Sequence, residues 1–442
     1  MNKIFVFIAS LCAVLCPLGM SAQEIIRHVV SIDELFSLAD QNSKSLRPDA
    51  SGIDEARAAV KIAQNARMPE IDVSVSVSYL GDGYLLDRDF SNGMKAPIPH
   101  FGNSFALEAS QIIYAGGAIS GKIAIAGLEV ENANLNMENN RNNLRFKWVG
   151  YYLDLFKQQN LLQVYEKNIE QAKQVLKDIR AKEHEGVVLR NDITRYELLL
   201  SNLELGRTQL QNTSTILNNN LTTMLGLSAN TLIEPDTTIL SKVLPIENNE
   251  YWTKSAVDNS PSLKQMSLAV QINEYQDKII KSERLPSIAL IAGNHFDGPI
   301  VIEVPPINKN LNYWYVGVGM KYSLSSLYKT KQSVHKNMFA IRRATERYDD
   351  AKEQTELAIK ADYIKYMEAY EQLNTRQKDV ELALQNYSII GNRYKNDMAL
   401  LTDMLDASNT KLAAEMQVIN TQINIVYLYF KLLYISGTLS NL

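Results

Sequence analysis

Long stretches of this chain place apolar residues at alternating steps of three and four, the spacing of helices that pack in pairs. Three such seams run from Trp148 to Ile179, from Tyr196 to Met224 and from Ile359 to Ile390. Each seam also contains polar residues, among them Gln158, Arg207, Ser214, Asp362 and Arg376. Two explanations stay open for them: long coiled coils tolerate some polar positions, or one helix side faces water inside a tube.

Four shorter segments alternate between apolar and polar residues and predict β-strands. They lie at about 70–80, 103–114, 287–296 and 312–324. Pro69 and Pro286 stand just before two of them, where proline ends a helix and is tolerated at the first position of a strand. Polar loops rich in glycine and proline, residues 80–101 and 297–310, join the strands of each pair.

The order of these elements occurs twice along the chain, which indicates an internal duplication. The two prolines are 217 residues apart (286 − 69), and Gly226 and Gly437 are 211 residues apart (437 − 226). Each half reads helix, strand, loop, strand, long helix, long helix, and Gly116-Gly117 ends the second strand of the first half. We therefore divide the chain into a first repeat (23–231), a connector (232–263) and a second repeat (264–442).

The first 22 residues have the composition of a cleaved signal peptide. Lys3 precedes an apolar run, residues 4–15, that is too short to span a bilayer, and small residues follow up to Ala22. Cys12 and Cys16 are the only cysteines and both lie in this segment. We expect the mature chain to contain no cysteine, which excludes disulfides, thiolate chemistry and cysteine metal sites.

The remaining composition argues against an enzyme and against nucleic acid as a partner. The net charge of −4 is unfavourable for binding phosphate backbones. The five histidines, at positions 28, 100, 184, 295 and 335, lack the spacing of metal ligands, and no phosphate-binding or nucleophile motif stands before a helix. We expect no catalytic residue, no cofactor and no metal.

After the signal peptide, no run of about 18 apolar residues predicts a transmembrane helix. If the chain crosses a membrane, its strands must form a closed barrel, because lipid satisfies no backbone hydrogen bonds. Four strands cannot close such a barrel, which needs at least about eight. Several copies would have to share one, and three copies would supply twelve strands. Counting alone does not distinguish a trimer from other oligomers.

The duplication, the Arg-x-Pro entry to each first strand and the Tyr114-Ala-Gly-Gly117 exit resemble the TolC-type outer membrane efflux proteins. The most specific matches are Leu401-Thr-Asp-Met-Leu-Asp-Ala-Ser408 and Gly437-Thr-Leu439. The resemblance covers essentially the whole mature chain.

The resemblance to this family implies a mainly α fold with a small β part. In a homotrimer, a 12-stranded barrel in the outer-membrane lipid, with four strands per protomer, would continue into a long α-helical barrel in the periplasm. It also implies docking onto a periplasmic adaptor protein and an inner-membrane pump, for passive export through the central channel.

The resemblance also points to the entrance of the channel. Asp403 and Asp406 are three residues apart on one helix face, and in a trimer they would form two stacked rings of carboxylates. From the pair alone, a solvated helix face is the favoured explanation, and it is the family resemblance that favours an entrance site instead. Asp192 stands at the equivalent place of the first repeat (403 − 192 = 211), and by resemblance Tyr394 would bond to it. Ala399 occupies the position of an arginine that locks the entrance in well-known members of the family.

Two other interpretations fit parts of the sequence. A periplasmic adaptor also has a signal peptide and a long helical hairpin, but it should have one hairpin flanked by compact β domains. A coiled-coil tether without a pore would leave the duplicated strand pairs unexplained.

Overall fold

The computed structural model describes residues 26–236, 238, 244–303 and 305–441. The predicted signal peptide lies outside these ranges. Within the described residues the chain forms two compact units. The first unit comprises residues 26–43, 145–245 and 365–430, and the second comprises 44–144, 246–364 and 431–441. Each unit therefore contains residues from both predicted repeats.

Helices dominate the structure, which is mainly α with a small β part, as the sequence predicted. The helices are α1 (Ile32–Asn42), α2 (Arg47–Asn65), α3 (Ala118–His184), α4 (Arg190–Leu225), α5 (Asn249–Asn259), α6 (Pro261–Ser282), α7 (Ser326–Lys395) and α8 (Leu401–Ile435), followed by a 3-10 turn at Leu439–Asn441. The strands are β1 (Ile26–Val30), β2 (Glu70–Tyr79), β3 (Gly83–Leu85), β4 (Met94–Ala96), β5 (Phe101–Tyr114), β6 (Thr231–Pro235), β7 (Ser287–Gly298) and β8 (Leu311–Lys321).

The second unit contains a four-stranded antiparallel sheet in the order β2-β5-β7-β8. Its strands lie within three residues of the predicted segments. The largest difference is at the end of β8, where Ser323 enters the turn that begins α7 and accepts a hydrogen bond from the N–H of Ser326 (3.0 Å). The loop between β2 and β5 folds back on itself as the short pair β3-β4.

The first unit contains a parallel pair of strands, β1 and β6, that the sequence pattern did not predict. Tyr152 of α3 is fully buried against this pair. Its hydroxyl donates to the carbonyl of Val30 (2.8 Å) and accepts from the N–H of Asp236 (2.8 Å). One side chain thus connects the long helix to both strands.

The duplication extends further than the sequence indicated, because α1 and α5 are also equivalent. Ser31 and Asn248, 217 residues apart (248 − 31), cap the two helices with their side chains. Part of β6 and all of α5 lie in the segment 232–263, which the sequence pattern predicted to be a connector.

Each pair of long helices ends against one of these two equivalent short helices. Gly226 and Gly437 follow α4 and α8 with φ angles of 68° and 72°, a conformation that favours glycine. A Cβ at Gly226 would lie 2.7 Å from the side chain of Asn42, and one at Gly437 would lie 2.8 Å from the backbone of Asn259. Glycine is therefore required at both positions, because a side chain would disfavour the φ angle and would collide with the neighbouring short helix.

The predicted heptad seams form the contact faces of the long helices, since every seam position is buried or half-buried. Ile179, Tyr196 and Tyr366 are completely buried. The polar seam residue Asp362 is also buried, and it accepts a hydrogen bond from the ammonium of Lys431 (2.8 Å). In the single chain, this polar seam residue is paired rather than exposed to water.

By length and composition, one helix among the described residues passes the criteria for a membrane span, namely α8. Asn424 and Lys431 interrupt its apolar run, so the sequence pattern did not predict a membrane span there. In its most apolar window 44% of the residues are buried inside the protein. Both observations are typical of a helix that packs against other helices.

Candidate functional sites: an amphipathic sheet and the hairpin tips

One face of the four-stranded sheet is apolar, and its side chains are exposed rather than packed against the rest of the protein. The strand registers place twelve large apolar residues on this face, each at least 39% exposed. They are Ile71, Val73, Val75 and Val77 of β2, Phe105 and Leu107 of β5, Leu290 and Phe296 of β7, and Trp314, Val316, Val318 and Met320 of β8. A continuous patch of twelve exposed apolar side chains marks a contact with lipid or with another protein.

The opposite face of the sheet is polar. Ser74, Ser76 and Ser78 alternate with the valines of β2, so they point away from the apolar face. Between the two inner strands, Ser104 of β5 donates a hydrogen bond to Asp297 of β7 (2.6 Å).

An imidazole on this polar face lies between two carboxylates. The ring of His295 is 3.5 Å from Glu108 and 4.0 Å from Asp297, and it stacks on Tyr313 with the ring centres 5.1 Å apart. No group of three or more potential metal ligands occurs among the described residues. This face presents charges and hydroxyl groups suited to water.

The two outer strands of the sheet, β2 and β8, each pair on one side only within the described residues. All ten residues of β2 are exposed. Open edges of this length leave backbone N–H and C=O groups unpaired, and they readily accept another strand. The strands alternate between apolar and polar residues as the sequence predicted. Within the described residues, both edges of the sheet are free to pair with another strand.

In the first unit, the α3–α4 and α7–α8 hairpins turn in the same way. The second residue after the first helix has a positive φ angle in both, Gly186 with 77° and Asp397 with 57° (397 − 186 = 211). The next N–H bonds back to a carbonyl of the helix, as in the Schellman motif. These bonds run from Val187 to Lys182 (2.9 Å) and from Met398 to Arg393 (2.8 Å).

Two of the predicted entrance carboxylates cap the helices that leave these turns. Asp192 accepts a hydrogen bond from the N–H of Leu189 (3.2 Å), and Asp403 accepts one from the N–H of Leu400 (3.1 Å). An acidic side chain at this position satisfies a free backbone donor and interacts favourably with the helix dipole. Asp403 and Asp406 are both exposed, whereas Asp192 is half-buried.

The predicted hydrogen bond between Tyr394 and Asp192 is not formed. Tyr394 is 7% exposed, and its hydroxyl has no hydrogen-bond partner among the described residues. The Asp192 carboxylate accepts from the N–H of Leu189 instead, which satisfies a free backbone donor at the start of α4. Burial, and then the negative charge of Asp192 and of Asp397, raises the pKa of the Tyr394 hydroxyl.

A lysine that no sequence motif indicated, Lys182, connects the two tips. Lys182, in the last turn of α3, donates to the carbonyls of Tyr394 (3.0 Å) and Lys395 (3.3 Å) at the end of α7. It also forms an ion pair with Asp397 (2.5 Å), and its ammonium lies 5.1 Å from the centre of the Tyr394 ring. No local spacing reveals this contact, because the partners of Lys182 follow it by more than 200 residues.

The tips are packed around one apolar cluster to which all four long helices contribute. Its buried members are Ile169, Ala172, Leu176 and Ile179 of α3, Tyr196 and Leu203 of α4, Tyr394 of α7, and Leu401 and Met404 of α8. Ala399, at the position where an arginine was expected from the resemblance, packs against this cluster. A small apolar residue there makes no ion pair, so the charged contact between the tips comes from Lys182.

A second lysine, Lys411 of α8, is buried near the cluster with 1% exposure. Its ammonium donates to Gln171 (2.7 Å) and Asn168 (3.1 Å) of α3 and lies 3.6 Å from Glu415. Burial lowers its pKa despite the nearby carboxylate. Lys411 follows the buried Met404 by seven residues, and this heptad spacing is the sequence signal that could have identified it.

Comparison with known proteins agrees with these features. Residues 35–227 match the model of the outer membrane efflux protein family. The sequence matches no curated protein.

Several solved outer-membrane proteins have a similar fold. The outer membrane protein VceC from Vibrio cholerae is 14% identical with a TM-score of 0.75, over 92% of this chain and 96% of that one. The outer membrane channel CmeC of Campylobacter jejuni is 15% identical with a TM-score of 0.71, over 92% and 86%. The outer membrane channel MtrE of Neisseria gonorrhoeae is 14% identical with a TM-score of 0.72, over 92% and 89%.

These similarities confirm the resemblance that the sequence suggested, and they are to channels rather than enzymes. Residues 35–227 of this chain match the outer membrane efflux protein family, and the chain as a whole has the fold of the TolC-like outer membrane channels.

Proposed function

We propose that this protein is the outer-membrane exit duct of an efflux or type I secretion system, through which substrates pass passively. The observation that supports this most directly is the four-stranded sheet, with one exposed apolar face, one polar face and two open edges. Strands that alternate in this way are those of a barrel with lipid outside and water inside.

The sheet also supports association of several copies. In an antiparallel sheet of four strands, the two outer strands run in opposite directions, so β8 of one copy can pair antiparallel with β2 of the next. Any number of copies can then close without a parallel pair. Three copies give twelve strands, within the known range of such barrels, and the resemblance favours this number.

The two hairpins would form the periplasmic part of the duct, with their tips at the entrance. Asp403 and Asp406, both exposed at the start of α8, would form rings of carboxylates in the trimer and would favour cations there. Asp192 and Tyr394 would belong to the same entrance. An adaptor protein and an inner-membrane pump would deliver substrates to it, as the resemblance implies.

Electron microscopy of the protein extracted from membranes in mild detergent tests this proposal. We expect particles with three-fold symmetry and a detergent belt around the sheet region, and we expect ion conductance after reconstitution into planar bilayers. A soluble particle without a belt would contradict the proposal. An adaptor or tether function would then be favoured, although neither explains the exposed apolar face.

A further inference from the structure

We infer that Lys182 is a positioning residue of the entrance and holds the tip of the second hairpin on the first. This inference rests on the proposed duct function. The Lys182 side chain is 20% exposed and bonds to three groups of the other hairpin, two helix carbonyls and one carboxylate. A cation at the carboxyl end of a helix also interacts favourably with the helix dipole.

The backbone of the second tip supports the same role. Asp397 adopts a φ angle of 57°, a region that costs energy for residues other than glycine. The equivalent residue of the first hairpin is Gly186, with the same turn and a φ angle of 77°. The fold thus accepts glycine in this turn, yet the second hairpin has an aspartate there, and its carboxylate binds Lys182.

Movement of the second tip away from the first must break these contacts. The ammonium of Lys182 would then lose the carbonyls of Tyr394 and Lys395 together with the carboxylate of Asp397. The two hairpins share no other ion pair at these turns among those found in the described residues. Lys182 therefore stabilises the present arrangement of the tips and resists widening of the entrance.

Two substitutions separate this role from a general loss of stability. Lys182→Met removes all three bonds and keeps the aliphatic part of the side chain. Asp397→Gly removes the ion pair and keeps the turn, since glycine occupies the equivalent position of the first hairpin. Lys173→Met is the matched control, because Lys173 lies on the same helix but pairs with Glu204 of its own hairpin (3.7 Å).

The measurement is single-channel conductance of each variant in planar lipid bilayers. We expect Lys182→Met to raise the fraction of time in the high-conductance state about tenfold. A tenfold change in this equilibrium corresponds to the free energy of about one charge-assisted hydrogen bond. We expect a smaller rise for Asp397→Gly and wild-type behaviour for Lys173→Met and for the conservative variant Lys182→Arg.

If the wild type conducts and Lys182→Met conducts equally or less, the role of Lys182 is wrong while the duct function stands. If Lys173→Met raises conductance as much as Lys182→Met, the rise is caused by the loss of a positive charge in general and not by the contacts of Lys182. The inference is then also wrong. A wild type that forms no channel at all would instead contradict the proposed duct function.

Discussion

At the scale of single residues, buried tyrosine hydroxyl groups of the first unit occur in two different situations. Tyr196 is completely buried and Tyr394 nearly so, and neither hydroxyl has a hydrogen-bond partner among the described residues. Tyr152, also fully buried, makes two hydrogen bonds of 2.8 Å. A buried polar group without a partner costs free energy, whereas a satisfied one contributes to stability.

This difference predicts opposite effects of the same substitution. Tyr196→Phe should leave the free energy of unfolding unchanged or raise it by about 1 kcal/mol, because it removes an unpaired hydroxyl. Tyr152→Phe should lower it by about 1–3 kcal/mol, because it leaves the carbonyl of Val30 and the N–H of Asp236 without their partner. Denaturant unfolding of the protein in detergent measures both. Equal destabilisation by the two variants would show that the Tyr196 hydroxyl has a partner.

The carboxylates of the entrance make a second prediction at this scale. Asp403→Asn combined with Asp406→Asn should reduce the preference for cations over anions, because the charges of both rings are lost. Asparagine keeps an acceptor for the N–H of Leu400, so the start of α8 should stay intact. Reversal potentials in a salt gradient across a bilayer measure the preference.

The control for this experiment is Asp379→Asn, which removes a carboxylate that pairs with Arg376 on α7. It should leave the reversal potential unchanged. If it shifts the potential as much as the double variant does, the preference for cations does not arise at Asp403 and Asp406.

At the scale of elements, the two faces of one strand have different requirements. Val75 lies on the apolar face of β2 and is 69% exposed, while the neighbouring Ser76 points to the polar face. Strand propensity alone does not distinguish these positions. The environment that each face meets in the assembled protein distinguishes them.

Arginine at these two neighbouring positions tests the orientation of the sheet. Val75→Arg should destabilise the membrane-inserted form by about 2–4 kcal/mol per chain, because it places a charge in lipid near the middle of the strand. Ser76→Arg should be tolerated, since its charge would face water. Folding into lipid vesicles, followed by denaturant titration, gives the two free energies. If Ser76→Arg is the more disruptive variant, the assignment of the faces is reversed.

At the scale of the whole molecule, the open edges of the sheet require a partner. Because β5 and β7 are paired on both sides, only β2 and β8 can join copies of the described sheet. The edges run antiparallel, so identical copies can repeat the same junction around a closed ring.

Engineered cysteines can detect this junction. A cysteine at Val73 or Val75 of β2, combined with one at Val316 or Val318 of β8, should cross-link neighbouring copies and give bands of two and three chains on non-reducing gels. The same β2 cysteines combined with Leu290→Cys on the inner strand β7 should give only single chains. Bands larger than three chains, or cross-links through β7, would contradict a trimer closed by β2 and β8.

The periodic patterns of the chain were sufficient for several features, because they depend on neighbours along one helix or strand. Heptad spacing identified the contact faces of the long helices, and every position of the three seams is buried or half-buried. Alternation and the two prolines located the four strands of the sheet. Comparison of the two halves revealed the duplication and the equivalent turns around Gly226 and Gly437.

Only the tertiary structure decided which distant groups meet. Lys182 contacts residues more than 200 positions away, and Lys411 is buried by side chains of α3, so no local pattern contains these contacts. The pairing of β1 with β6 and the burial of the Tyr394 hydroxyl, which has no partner within the described part of the chain, likewise depend on how separate segments pack. The sequence by itself determined the long helices, the four strands of the sheet and their repetition, because propensity and periodicity are local. The contacts that connect the hairpin tips are long-range, and they exist only once the helices are packed together.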